Sequence, residues 1–576
     1  MTAPFIMKKE VKSQEIISFD RILLVQGGIL MPYFNTGKIF LVPSFDLEVQ
    51  EQQRIGRFLA LLDNSGVGKI IEKYIKNNTS KGGRPGYNYY HLFATIIYGF
   101  AFTRCTLREL ADACRFDLRF IFLMNQERPI YTKFCDFINK VIVPNEEEIF
   151  SLISMEIAKE MGIEMDDAFI DGTKFEANAN KYKFVKKPTT YHRRISIKVS
   201  EIIRKYGLFD NYREEEFIRS NTIANAITNL EVRKKYYEEV TYLNTKKALV
   251  ALLEKTLEYE EQENIIGSDR ESCYKTDKDA TMMALKADYY SGLGSNMHAA
   301  YNVQILVMKG LVFSYYVSQS RTDIKDFIDV IDVFAKLYGF WPKRICADAG
   351  YGSLENYRYL EKHNIENYVK HQSWEGNKSG RNPDCYHLNN DDTITCLNGF
   401  VGHEIKLENR HPRKAETVFY KVDGCDSCKW MPFCKKYMYI QNEDFKIFEI
   451  IKDLERYKYQ SQDNLCSPKG IEMRVNRSIQ VEGVFGIEKQ DYGYVRFRRR
   501  GLNKVSTESM LNFLGLNIAK LFRFYETGKI NKFWIAPENL EPEKFKKPSW
   551  KRLSKKGTKQ NRKMIENYNK KVFEQS

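Results

Sequence analysis

The sequence predicts an α/β core, interrupted by a long helical insertion and a Cys-bearing insertion and preceded by an all-α N-terminal domain. Three observations predict it. Between residues 46 and 150 apolar residues recur at helical spacing, with no strand-like run. Between residues 299 and 369 short apolar runs of strand length alternate with helical segments. The 576 residues also far exceed the roughly 150 of one ordinary domain.

Residues 1–45 are weakly patterned and read as an N-terminal extension. In the domain predicted over 46–150, Ile55, Leu59 and Leu62, then Ile70, Ile71 and Tyr74, keep helical spacing on either side of Asn64-Ser65-Gly66. A basic turn over 81–86 leads to a helix from about Asn88. Thr106-Leu107-Arg108-Glu109 is a capping box that opens another helix. This pair of helices suits either a helix-turn-helix or a dimerising bundle.

At Asp167 the pattern changes. Ala168-Phe169-Ile170 reads as a buried strand ending in Asp171, which starts a catalytic domain over 160–530. Residues 195–267, dense in Glu, Lys, Leu and Tyr, form the helical insertion. Strands are expected at 299–306 and 311–317 around a Lys309-Gly310 turn. A helix over 323–338, a strand over 344–348, a helix over 354–363 and a strand over 367–369 follow. The Cys-bearing insertion occupies 373–446, and helical periodicity is expected again from about Ile447, with a break near Pro468. Residues 535–576 read as a basic tail, with a net charge of +8 over 541–576.

Lys plus Arg number 90 against 75 Asp plus Glu, a net charge of +15 that favours an anionic partner. An apolar content of 43% excludes wholesale disorder. The longest apolar-looking run, over 90–102, is short of the roughly 20 residues a membrane span needs, so no membrane partner is expected. The N-terminus lacks a signal-peptide pattern, and a cytoplasmic location is expected. Eleven cysteines are too sparse for a disulfide framework.

Asp171 and Asp348 each end a predicted strand, which would present two carboxylates on one sheet edge. Hard divalent cations such as Mg²⁺ take oxygen ligands of this kind, although a strand-end Asp also commonly caps a turn. Asp171-Gly172-Thr173-Lys174, Tyr301-Asn302-Val303-Gln304, Thr322-Asp323, the Asp348-Ala349-Gly350-Tyr351-Gly352 run and Glu482-Gly483-Val484-Phe485-Gly486 occur in this order. Together they resemble the catalytic region of transposases of the insertion sequence 1182 group, within the DDE transposases with a ribonuclease H-like core. Gly83-Arg84-Pro85 and the helix opening at Thr106 resemble that group's N-terminal region.

The resemblance implies that Asp171, Asp348 and Glu482 are catalytic acids that hold two Mg²⁺ or Mn²⁺ ions. It implies double-stranded DNA as partner, both terminal inverted repeats and target, and a homodimer on DNA. It implies cleavage and strand transfer at the element's ends; a transposase-derived DNA-binding protein without cleavage, or a two-metal nuclease that does not join strands, is the alternative. Lys489, seven residues after Glu482 and expected on nearly the same helical face, resembles a phosphate-contacting Lys of related transposases. Where the group carries an Arg four residues before the Glu, this sequence has Ser478, with Arg477 beside it as a candidate DNA contact. Arg496, Arg498, Arg499 and Arg500 alternate with Tyr494 and Phe497, a pattern expected to leave guanidiniums free for phosphates.

Asp277 and Asp279 read as turn residues near the DNA path, outside the metal site, and Asp323 as the cap of the helix it opens. Cys425-Asp426-Ser427-Cys428 followed by Cys434 has thiolate spacing suited to structural Zn²⁺. Cys396 is the expected fourth ligand, with Cys385 and His387 as alternatives. The other six cysteines read as buried small hydrophobes.

Overall fold

The computed structural model describes residues 49–76, 86–187, 190–268, 270–285, 297–374, 384–406, 417–431, 434, 445–530 and 532–545. The extension over 1–45, Gly83-Arg84-Pro85 and the tail from 546 onward lie outside the described residues. The chain divides into two compact units, 1–55 and 56–576, and every described strand lies in the second.

The centre of this second unit is a mixed sheet. Strands β1 (Asp167–Glu176), β4 (Thr281–Ala284), β5 (Met297–Met308), β6 (Leu311–Ser318), β7 (Arg344–Ala347) and β8 (Glu366–Val369) take the order β4-β5-β1-β7-β8, with β6 also on β5. β5 runs antiparallel to β1 and β6, whereas β7 runs parallel to β1 and to β8. The parallel strands are joined through helices, as parallel pairing requires. β5 and β6 meet at the expected two-residue turn, where Lys309 and Gly310 both have positive φ. This mixed α/β arrangement is compatible with the ribonuclease H-like core that the resemblance implies.

Apolar faces cover the sheet. Helix Asp326–Tyr338 buries Phe327, Val330, Ile331 and Phe334, one stripe at helical spacing. Helix Leu502–Thr527 went unrecognised in the sequence because it is buried nearly all round from Val505 to Phe522, which blurs the amphipathic period. Its Asn517 accepts from Val312 N at 2.9 Å and donates to Val312 O at 2.7 Å, covering the open edge of β6. On its other side it meets the N-terminal helices. A Cβ at Gly515 would lie 2.5 Å from Phe100 O, so only glycine permits this approach. The capping box forms as expected, with Thr106 N to Glu109 Oε2 at 2.6 Å and Glu109 N to Thr106 Oγ1 at 3.2 Å.

Between β1 and β4, helices Thr190–Lys205, Ser220–Val232 and Glu239–Ile266 enclose their own apolar cluster, which includes Val199, Ile223, Leu230 and Leu249. The short pair β2 (Phe184–Lys186) and β3 (Ser272–Tyr274) closes the base of this excursion.

The Cys-bearing stretch is more regular than its polar sequence suggests. It contains a five-stranded antiparallel sheet of β9 (Tyr386–Leu388), β10 (Ile394–Cys396), β11 (Val401–Ile405), β12 (Val418–Asp423) and β13 (Phe445–Ile450). Ile447 therefore lies in a strand, not a helix. The pairing of β13 with β12 buries Phe448 and Ile450 at alternate positions, and the helix starts only at Lys452. Helix Lys452–Cys466 ends where expected, before Pro468 opens Pro468–Arg477. Residues 532–545 lie along these two helices, held by Asn476 Nδ2 to Trp534 O at 2.9 Å and Glu543 N to Cys466 O at 2.8 Å.

Candidate active site

β1 and β7 pair in parallel with Ile170 opposite Ala347. The next residue on each strand is Asp171 and Asp348, so the register sets the two carboxylates side by side at one edge. Asp171 is fixed by its neighbours on both oxygens. Its Oδ1 accepts from Gly172 N at 2.8 Å, and its Oδ2 accepts from Arg477 Nη1 at 2.9 Å. Lys370, just past β8, donates to Asp348 Oδ1 at 3.2 Å.

Glu482 arrives from the far end of the chain. Beyond Pro468–Arg477 the helix continues through a π-helical turn at Ser478–Glu482. Such turns rotate the side chains that come after them, and they are frequent at functional sites. Ser478 Oγ donates to Glu482 Oε1 at 2.8 Å, and Arg477 Nη2 lies 3.9 Å from the same oxygen. Arg477, only 9% exposed, therefore stands between Asp171 and Glu482. The expectation that it faces DNA is corrected: its guanidinium turns inward, because a buried cation needs the carboxylates around it.

The two aspartates titrate in opposite directions. Burial pushes the Asp171 carboxyl up, Arg477 and the Gly172 N–H oppose this, and the charges of Asp348 and Asp323 leave it above its ordinary value. Burial also acts on Asp348, but Lys370 and Arg477 outweigh it and hold that carboxyl below its ordinary value.

A polar network backs Asp171. Gln304 is fully buried on β5, directly opposite Gly172. Its Nε2 donates to Asp323 Oδ1 at 2.9 Å, and its Oε1 accepts from the buried Tyr351 hydroxyl. Asn302 Nδ2 donates to Asp323 Oδ1 at 2.8 Å and to Asp326 Oδ2 at 3.1 Å. Asp323 is thus not a helix cap. The helix begins at Asp326, and the Asp323 carboxylate faces the sheet because two buried amides require an acceptor there. One signal in the sequence could have revealed this: Asn302 and Gln304 are polar residues at period two in a strand that is otherwise almost wholly apolar. Lys370 carried no such signal.

The basic residues are less free than their pattern suggested. Lys489 Nζ donates to Thr173 Oγ1 at 2.6 Å and to Lys174 O at 3.0 Å, and it sits over the Phe175 ring. A second π-helical turn, Ile487–Asp491, carries Lys489, which thus meets the strand of Asp171 two residues beyond that acid. Arg496 donates to the carbonyls of Ala177 and Ala179, Arg499 to Asn139, and Arg500 to Asn178. These three guanidiniums are engaged with the protein because the extended chain at Arg496 bridges to Glu176, alongside the β1 exit. Arg498 is exposed. Asp277 accepts from Gly501 N at 3.2 Å and Asp279 from Leu502 N at 2.8 Å. Both anchor the N-terminus of Leu502–Thr527, where a helix favours negative charge.

Among the described residues no group of three or more His, Cys, Asp or Glu side chains is placed to hold a metal ion as the side chains stand. In the acid site Arg477 stands between two of the carboxylates and Lys370 on the third. The donor set itself, carboxylate oxygens at a strand edge, suits a hard divalent cation. The cysteines also come together: Cys385, Cys396, Cys425, Cys428 and Cys434 line one cavity. His387 points elsewhere, its Nδ1 3.1 Å from the Tyr459 hydroxyl. Cys114, Cys273, Cys346 and Cys466 are buried as expected, whereas Cys105 and Cys135 are partly exposed.

A strand-edge pair of aspartates joined by a glutamate from a late helix defines a class of carboxylate-bearing α/β sites suited to divalent cations. Comparison with known proteins finds two partial matches. Residues 396–522 match a family model described as Transposase DDE domain, and residues 44–140 match one described as Transposase domain (DUF772). Together these matches support a DDE-type transposase. No curated protein and no solved structure matches the chain. Among the described residues no helix is long and apolar enough to cross a membrane.

Proposed function

We propose that this protein is a transposase, of the insertion sequence 1182 group, that cleaves DNA at the ends of its element and transfers the strands to target DNA. The observation that carries the reading is the convergence of Asp171, Asp348 and Glu482, from β1, the end of β7 and a helix more than 100 residues later, around Arg477.

Asp171, Asp348 and Glu482 would hold Mg²⁺ or Mn²⁺. Such ions, when bound, polarise phosphoryl oxygens and lower the pKa of attached water. The chain's own residues prepare the acids. Gly172 N–H and Arg477 orient Asp171, Lys370 keeps Asp348 ionised, and Ser478 holds Glu482 by its Oε1. Three carboxylates face two cations, a balance that leaves the edge anionic and receptive to further positive charge. Arg498, together with the basic residues after 545, would supply phosphate affinity in double-stranded DNA. The reading includes a homodimer on paired ends and a place at the nucleoid.

The test is cleavage and joining of DNA carrying the element's ends by the full chain with Mg²⁺. Asp348→Asn is expected to lower cleavage by at least about 100-fold while leaving DNA binding intact. Undiminished cleavage would overturn the assignment. Binding without cleavage by the wild type would instead indicate a DNA-binding derivative, and cleavage without joining a nuclease.

A further inference from the structure

The sheet of β9 to β13 brings five of the eleven cysteines to one place that the acid site does not use. Cys385, Cys396, Cys425, Cys428 and Cys434 line a cavity of about 30 Å³ together with Lys446. That is roughly the space of one water molecule, too small for an organic ligand but suited to a single ion.

Two turns bring cysteines to this cavity. In the first, between β10 and β11, Asn398 N lies 3.4 Å from Cys396 Sγ, Gly399 N donates to Cys396 O at 2.9 Å, and Gly399 has a φ of +94°. In the second, after β12, Cys428 N donates to Cys425 O at 3.2 Å, and Gly424 just before it has a φ of +83°. The Cys428 sulfur lies 3.4 Å from Asn398 Nδ2, and Cys425 Sγ lies 3.8 Å from Val422 O. N–H groups aimed at sulfur stabilise thiolate over thiol, and outer hydrogen bonds of this kind orient metal-bound cysteines. Both turns need a glycine where the chain takes a left-handed conformation, so the backbone itself is shaped to expose the sulfurs.

Lys446 supplies an independent observation. It is 2% exposed on β13, opposite Val422, sits over the Phe448 ring, and Cys434, Cys385 and Cys425 are among the groups around it. A divalent ion held by four thiolates is a net anion, which is compatible with an ammonium buried beside it.

We propose that Cys396, Cys425, Cys428 and Cys434 bind one structural Zn²⁺, with Cys385 left as a buried thiol and Lys446 as the counter-charge. As the side chains stand the sulfurs do not converge on one point, but each cysteine has a single side-chain torsion, and a change of rotamer moves its sulfur without disturbing the backbone. Binding releases the thiol protons to solvent and forms four metal–sulfur bonds, with no oxidation. Cys385 is set apart because it is a buried member of the apolar cluster of Ile394, Tyr420, Val422 and Phe448, against which Cys396 and Cys434 are only partly buried. The ion would supplement a cluster that, among the described residues, has six buried members.

The experiment measures metal on the full-length protein purified from zinc-supplemented medium. About one zinc per chain is expected, and replacement by Co²⁺ should give the intense sulfur-to-metal charge-transfer absorption of a tetrahedral thiolate site. Cys396→Ser and Cys428→Ser should lose the metal, Cys385→Ser should keep it, and Cys434→His, which retains a donor, should keep most of it. If a serine variant does not fold, the Co²⁺ spectrum of the wild type still decides. Substoichiometric zinc with five reactive thiols, disulfides among these cysteines, or zinc lost in Cys385→Ser and kept in Cys396→Ser would each overturn the proposal.

Discussion

Gly172→Ala tests how tightly the strand pair behind Asp171 is built. A Cβ at position 172 would lie 2.2 Å from Gln304 Nε2, 2.4 Å from Oε1 and 2.5 Å from Cδ. Ordinary contact requires the amide to retreat by about 1 Å or more. Gln304 has nowhere to go: it is fully buried, donates to Asp323 at 2.9 Å and accepts from Tyr351. Overpacking typically costs about 1–3 kcal/mol, and each buried hydrogen bond broken adds about 1 kcal/mol. The expected loss is therefore about 3 kcal/mol, measured by urea unfolding. Gln304→Ala removes the obstruction, so in that background Gly172→Ala should cost less than about 1 kcal/mol, a coupling of about 2 kcal/mol in a double-mutant cycle. An equal cost in both backgrounds would show that Gln304 is not what demands glycine at 172.

Arg477→Ala leaves Asp171 without its closest cation. It is expected to destabilise the metal-free protein by about 3 kcal/mol in denaturant unfolding, as removal of one partner of a buried pair does, and to move the Asp171 carboxyl further up in an NMR titration. An unchanged Asp171 titration would refute the inward role of this arginine. Asp326, 3% exposed, is pushed up to about 7 by burial. Because its folded value is raised, the protonated group stabilises the fold fully below the unfolded carboxylate value, and that contribution is lost as pH rises through about 7. Relative to Asp326→Asn, wild-type stability should fall by on the order of 4 kcal/mol between pH 4 and pH 8. Parallel pH profiles of the two proteins would contradict this.

The strand–helix alternation was legible because β5, β6 and β7 are short apolar runs between turn residues, and the capping box was legible because its chemistry is local. Asp171, Asp348 and Glu482 could be singled out from their short motifs. Arg477 could not be placed, since nothing local distinguishes a helix face turned toward two distant carboxylates from one turned toward solvent. The five-stranded sheet around the cysteines was hidden for a different reason: its strands are short, polar on one face and separated by polar connections.

By itself, then, the sequence determined the strands and helices around Asp171 and Asp348 and which acids end those strands, because those properties depend on residues close together in the chain. Only the tertiary structure decided which cation answers each acid, why Gly172 must be glycine, that Lys489 and three of the four arginines bind the protein's own backbone and side chains, and that five thiols meet at one cavity. Those outcomes depend on contacts between residues as far apart as Thr173 and Lys489, whose partners are chosen by the register of β1 with β5 and β7 and by the winding of the helix that carries Glu482.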